Sequence, residues 1–197
     1  LQRFAKTPVV PGGRVKPLGT LARSSLLIIS DKRTFEDQRG AEHGAIVWLL
    51  DTMSRLHGNA RSLEHPVFRI DNHEVLAAWG LQPRPGDYRY SLVSFRAELP
   101  AIRPDVQAAF ELEPEQRSLY QKQLLELNSH VGLYLELAGW RQPHALPPTD
   151  GSGDPTGWRP LREAVHADGA RIAPASRDPA SMAFGRVLEA WSEGDVA

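Results

Sequence analysis

Apolar residues return every three or four positions along most of this chain, and glycine or proline cuts each run short. The most regular run holds Tyr120, Leu124, Leu127, Val131, Tyr134 and Ala138 at spacings of 4-3-4-3-4. It predicts a helix of about six turns entered from Pro114, a residue suited to a first helical turn. A second stripe, Ile46, Leu49, Leu50 and Met53 with Trp48 beside it, predicts a helix over 42–56. Leu21, Leu26 and Ile29 predict another, capped by Thr20. Asp71 and Glu74 have capping-box spacing ahead of Val75, Leu76 and Trp79, and Gly80 closes that helix. A last helix starts at Asp178-Pro179, carries Met182, Phe184, Val187, Leu188 and Trp191, and stops at Gly194.

Strand signals are fewer. Phe4, Val9, Val10 and Val15 surround Pro11-Gly12-Gly13, which predicts a small hairpin. Pro8, Pro11 and Pro17 each remove a ladder donor, so the hairpin reads as an edge ribbon. Val67 to Ile70 reads as a short strand after His65-Pro66. Residues 31–40 read as a loop or fraying turn, and 88–95 fit either a strand or the start of a helix. A helical pattern then reaches Phe110, with expected breaks at Pro100 and Pro104. The proline- and glycine-rich 142–157 read as a flexible surface loop, and Trp158 to Ala167 as a short helix. The expected fold is mainly α with a small N-terminal β-hairpin, a single irregular helical domain. Its parts are a ribbon at 1–17, a helical core at 18–141, the loop at 142–157 and C-terminal helices at 158–197.

Composition narrows the classes. The chain has 197 residues, 41% of them hydrophobic and 24% charged, as expected of a soluble globular domain. A net charge of -1 gives no dense basic face to displace counterions, so nucleic acid is not an expected partner. Cysteine is absent, which removes disulfides, thiolate metal sites and covalent haem attachment to this chain. No run approaches the roughly 18 apolar residues of a membrane span. Leu1 opens the chain without a basic-then-apolar leader, so the chain reads as a fragment whose targeting segments lie elsewhere.

No set of residues amounts to a catalytic site. Gly12-Gly13 with Arg14 and Lys16 lacks the Gly-Lys-Ser/Thr ending of a phosphate loop and reads as a turn with solvated bases. "HEVLA" at 73–77 supplies His73 and Glu74, but Ala77 stands where a zinc protease needs its second histidine. "DGSGDP" at 150–155 begins like a calcium loop, but Leu161 stands where the bidentate glutamate belongs. The seven histidines are scattered, which leaves open a haem held by one or two of them from distant parts of a fold. Ser24-Ser25 lacks a nucleophile elbow. The five tryptophans read as core.

Four phrases carry a resemblance. "GRVKPLGTLARSSL" is similar to the G-R-[IV]-K-P-L-[DN]-T-x-A phrase of the extracytoplasmic parts of system II cytochrome c biogenesis proteins, the CcsA/CcsB or ResB/ResC type. "AIVWLLDTM" at 45–53, "HPVFRIDNHEVLAAWGL" at 65–81 and "VLEAWSEGD" at 187–195 follow in the order associated with that group. Gly19 departs from it, standing where the group has an acidic or amide residue, and the tryptophan-rich haem-handling signature and the membrane histidines are missing. The resemblance implies a periplasmic module tethered to the inner membrane through its parent protein. That module is non-catalytic and carries no cofactor itself; haem belongs to the parent complex. Its implied partners are a membrane-embedded biogenesis protein and apocytochrome c, and Arg14, Lys16, Pro17 and Leu18 are the candidate docking residues. The alternatives are a haem-binding domain in its own right and a metal-dependent hydrolase.

Overall fold

The computed structural model describes residues 1–84, 86–148, 151, 154–164 and 179–194. A 3-10 turn, Phe4–Lys6, leads into β1 (Pro8–Val9), which pairs antiparallel with β2 (Lys16–Pro17). Gly12 and Gly13 make the reversal at φ of 65° and 82°, a left-handed backbone that glycine adopts without a side-chain penalty. Helix α1 (Leu18–Ser30) follows at once. Its first donor, the Leu18 N–H, bonds the Thr7 carbonyl at 2.8 Å. The ribbon thus supplies an acceptor at the helix start, Pro17 occupies the cap position, and Thr20 lies inside the helix instead of capping it.

Residues 31–40 depart from the expected loop. β3 (Thr34–Glu36) pairs with β4 (Glu42–Gly44) in a second hairpin. Its connection is built by Asp37, whose Oδ1 accepts from the backbone of Arg39 and Ala41 at 2.8 and 2.9 Å. The His43 ring sits 3.0 Å from Oδ2, and these hydrogen bonds pull the Asp37 carboxyl down to about 2. Helix α2 (Ala45–Met53) therefore begins three residues after the expected start at 42, and a 3-10 turn, Ser54–His57, extends it.

The middle of the chain folds as α3 (Arg61–Glu64), β5 (Phe68–Arg69), α4 (His73–Ala78) and β6 (Arg89–Tyr90), with β5 and β6 paired antiparallel. Asn72 caps α4, accepting from Glu74 and Val75, while Asp71 turns outward to Arg69. Helix α5 (Leu99–Glu111) passes through Pro104 unbroken, with Pro100 in its first turn. Helix α6 (Leu119–Ala138) begins five residues after Pro114, because Ser118 and Gln121 form a reciprocal capping box there.

The stretch read as a flexible loop holds β7 (His144–Leu146), with Ala145 and Leu146 buried. It pairs with β8 (Arg159–Pro160), and a 3-10 turn, Leu161–Ala164, stands where a short helix was expected. The remainder of that expected helix, 165–167, and part of the loop, 149–150 and 152–153, lie outside the described residues, as does Asp178. Helix α7 (Pro179–Glu193) ends at Gly194 as its pattern predicts. A lone bridge from Val10 to His144 ties the opening ribbon to β7.

The architecture is mainly α, with short antiparallel hairpins around the helices. One apolar core runs through it. α6 is its spine and touches α1, α2, α4 and α5. Three of the five tryptophans, Trp48, Trp79 and Trp140, are fully enclosed. Phe68 packs edge-on against Phe95 at 5.4 Å, and Trp79 does the same at 4.9 Å, the arrangement that aromatic quadrupoles favour.

Candidate functional site

A polar cluster inside this core centres on Asp51, on the last turn of α2. Its carboxylate is 3% exposed and engages four partners. His65 Nε2 lies 2.7 Å from Oδ2. Oδ1 accepts from Trp191 Nε1 at 2.8 Å and from Asn59 Nδ2 at 3.1 Å, and the Arg61 guanidinium stands 3.2 Å away. Burial by itself would raise the Asp51 pKa; the hydrogen bonds from His65, Trp191 and Asn59 and the charge of Arg61 outweigh it and lower the value. The carboxylate is therefore ionised, accepting from Trp191 and Asn59 and paired with the Arg61 charge.

The fold brings these groups together from separate elements. Asn59 and Arg61 come from the turn after α2, where Asn59 Oδ1 accepts from the Arg61 backbone and Nε. His65 follows α3, and Phe35 of β3 lies over its ring at 4.5 Å. Trp191 reaches in from α7, and its carbonyl accepts from Arg61 Nη2 at 3.0 Å. Arg61 also sits 5.7 Å from the Trp191 ring centroid, a cation–π distance.

Chemically this is a carboxylate–imidazole pair without a nucleophile. His65 Nδ1, the nitrogen a general base would present, is buried and has no partner. The buried hydroxyls nearby are committed: Ser54 donates to the Leu50 carbonyl and accepts from Asn59, and Ser62 pairs with Tyr134 at 2.7 Å. What the arrangement does is fasten α7 and the turn after α2 to α2 itself. Sequence reasoning passed over Asp51 and His65. The available signal was a lone acid within the apolar phrase "AIVWLLDTM", on the helix face that holds Trp48 and Thr52.

Of the four residues singled out for docking, Arg14, Lys16 and Pro17 are exposed on the ribbon, whereas Leu18 is fully buried at the start of α1. Leu18 anchors the ribbon and presents no side chain to a partner. His73 and Glu74 of "HEVLA" are both exposed on the first turn of α4. Among the described residues, no three acid or imidazole side chains gather as a metal site. In the calcium-like stretch, Asp154 accepts from the Thr156 backbone at 2.9 Å. His57 packs against Trp140 with ring centroids 5.4 Å apart, and its Nε2 is buried without a partner. Burial lowers the pKa of that ring, against the opposing charges of Glu189 and Glu193.

No protein-family model matches the chain, and no curated protein is similar enough to it to establish kinship.

Proposed function

We propose that this chain is a non-catalytic extracytoplasmic module of a membrane-bound cytochrome c biogenesis protein. In this reading it is held at the periplasmic side of the inner membrane by its parent protein. It helps haem delivery or attachment by docking apocytochrome c or bracing the membrane-embedded partner. One observation supports the reading above the others. Three of the four phrases that resemble this group supply a side chain to a single buried cluster: Asp51 from "AIVWLLDTM", His65 from "HPVFRIDNHEV" and Trp191 from "VLEAWSEGD". Residues gathered at one structural joint are what a shared framework would retain. The ribbon, with Arg14 and Lys16 exposed, is the contact edge in this reading.

The test is titration of the chain with apocytochrome c peptides and with the membrane partner at low ionic strength. Binding is expected, weakened by the double variant Arg14→Glu, Lys16→Glu. Absence of an interaction with either ligand removes the docking role. Leu18 is unsuitable for this test, since a change there perturbs the core.

The His57–Trp140 pair favours a second reading, a haem site within the domain itself. It requires haemin to shift its Soret band on mixing with the protein and the shift to disappear in His57→Ala. An unshifted band with the unmodified chain ends that reading.

A further inference from the structure

At the end of α1 away from the ribbon, a cavity of about 290 Å³ opens between α1, β5, α4 and α6. It runs into a second depression over the start of α4, because Asp71, Asn72 and Gln123 line both. Together they form one trough. Exposed apolar side chains line both parts, Leu27 and Ile28 the first and Tyr88 and Leu119 the second, with Ile28 55% and Leu119 67% exposed. Large aliphatic side chains left in water along a single depression are a feature of contact surfaces.

Acidic side chains stand exposed beside them, over a buried apolar floor of Ile29, Ile70, Val75 and Leu127. Arg69 is held between Asp31 and Asp71, so this triad retains one negative charge. Glu126 and Glu74 add two more, and the other titratable groups facing the trough are His130, His73 and Tyr88. Burial lowers the pKa of His130, against the pull of Glu126 4.0 Å away, so that ring does not offset the acids near neutral pH. Two buried polar atoms in the lining also have no partner, His130 Nδ1 and Gln123 Oε1. Gln123 Nε2 donates to Asp71 at 3.4 Å.

We propose that this trough is the docking site for an extended segment of another protein in which lysine or arginine side chains alternate with apolar ones. The apolar side chains settle against Leu27, Ile28, Tyr88 and Leu119. The cations approach Asp71, Glu126 and Glu74. The site is separate from the ribbon and does not depend on the cytochrome c reading.

Fluorescence anisotropy tests it with a short labelled peptide of alternating leucine and lysine and a twin carrying glutamate for lysine. The lysine peptide is expected to bind and the glutamate twin to fail. The double variant Asp71→Asn, Glu126→Gln should weaken binding roughly tenfold, the equivalent of about 1.4 kcal/mol. Ile28→Ser should also weaken it. Phe110→Ser, at an exposed apolar residue outside the trough, should leave it unchanged. Far-UV circular dichroism checks that each variant folds, and Ile28→Ser alters only an exposed side chain. Equal binding of the twins, no binding of the lysine peptide, or an equal loss in Phe110→Ser overturns the proposal. Sedimentation showing that the chain pairs with itself until Ile28→Asp separates the copies also overturns it, by making a second copy the occupant.

Discussion

Asp51 carries a full charge into the core, and its four partners make that tolerable. Removing it strands His65 and Arg61 beside an empty site. Asp51→Ala should therefore cost about 1–3 kcal/mol in chemical denaturation, the range for leaving buried hydrogen-bonding partners unsatisfied. The same residue sets an acid dependence. Its folded pKa lies below the ordinary 3.8, so its contribution is complete above that value and is lost as pH falls through the folded value. Denaturation midpoints followed from neutral to acid pH should fall less steeply in Asp51→Asn than in the unmodified chain. Gly19 was legible only as a departure from a phrase, and the structure gives a physical reason for it. A Cβ there would stand 3.1 Å from both the Cβ and the carbonyl oxygen of Ala5, because the first turn of α1 packs directly on the opening 3-10 turn. Gly19→Asn should destabilise by about 1–3 kcal/mol through overpacking, measured as a lower denaturation midpoint.

At the scale of elements, long apolar periodicity read well and element ends did not. The stripe on α6 was visible because five of its predicted residues, Leu124, Leu127, Val131, Tyr134 and Ala138, are buried. Its start was placed too early because Pro114 and Ser118 both signal a helix, and the reciprocal Ser118–Gln121 bonds favour the second. Ser118→Ala should cost about 1 kcal/mol, seen as a lower denaturation midpoint. Pro104 looked like a break because proline removes one helical donor, yet α5 keeps its course through it. The far end of α6 holds a less common arrangement. Trp140 adopts φ 59° where a helix of this ending has glycine, while Gly139 precedes it. The Arg141 N–H reaches the Glu136 carbonyl and the Trp140 N–H reaches that of Leu137, which completes the cap. The left-handed backbone costs roughly 1–2 kcal/mol. It is offset by burying the whole indole and by its bond to the Met53 carbonyl. The β3–β4 hairpin escaped notice for a simpler reason: its three-residue strands are too short for alternation to register, and Asp37 makes the turn through its side chain.

For the whole molecule, the fold class was readable and the joints between distant segments were not. Local pattern says which face of α7 is apolar, and Phe184 and Leu188 are indeed enclosed. It does not say that Trp191 will meet an acid on α2, since that contact spans 140 positions. The fastening of α7 makes a prediction at this scale. In Trp191→Phe the indole donor is lost, and hydrogen exchange of α7 amides should quicken while those of α6 keep their protection. Uniform acceleration across both helices would mean that the cluster holds the entire core and not α7 in particular. The candidate contact surfaces divide in the same way. Arg14 and Lys16 were visible from sequence because they flank a glycine turn. The trough was not, because its walls come from four elements that only the folded chain brings side by side.

The bridge from Val10 to His144 bears on how the protein is made. On a ribosome the opening ribbon is released early, but the strand that seats it must wait for a stretch well beyond the long α6 helix. At ordinary synthesis speeds that delay is roughly ten seconds. Throughout it, the unpaired edge beyond β1 is open to other nascent chains. The prolines at 8 and 11 guard that interval, since an edge with missing donors is a poor template for a stranger's strand.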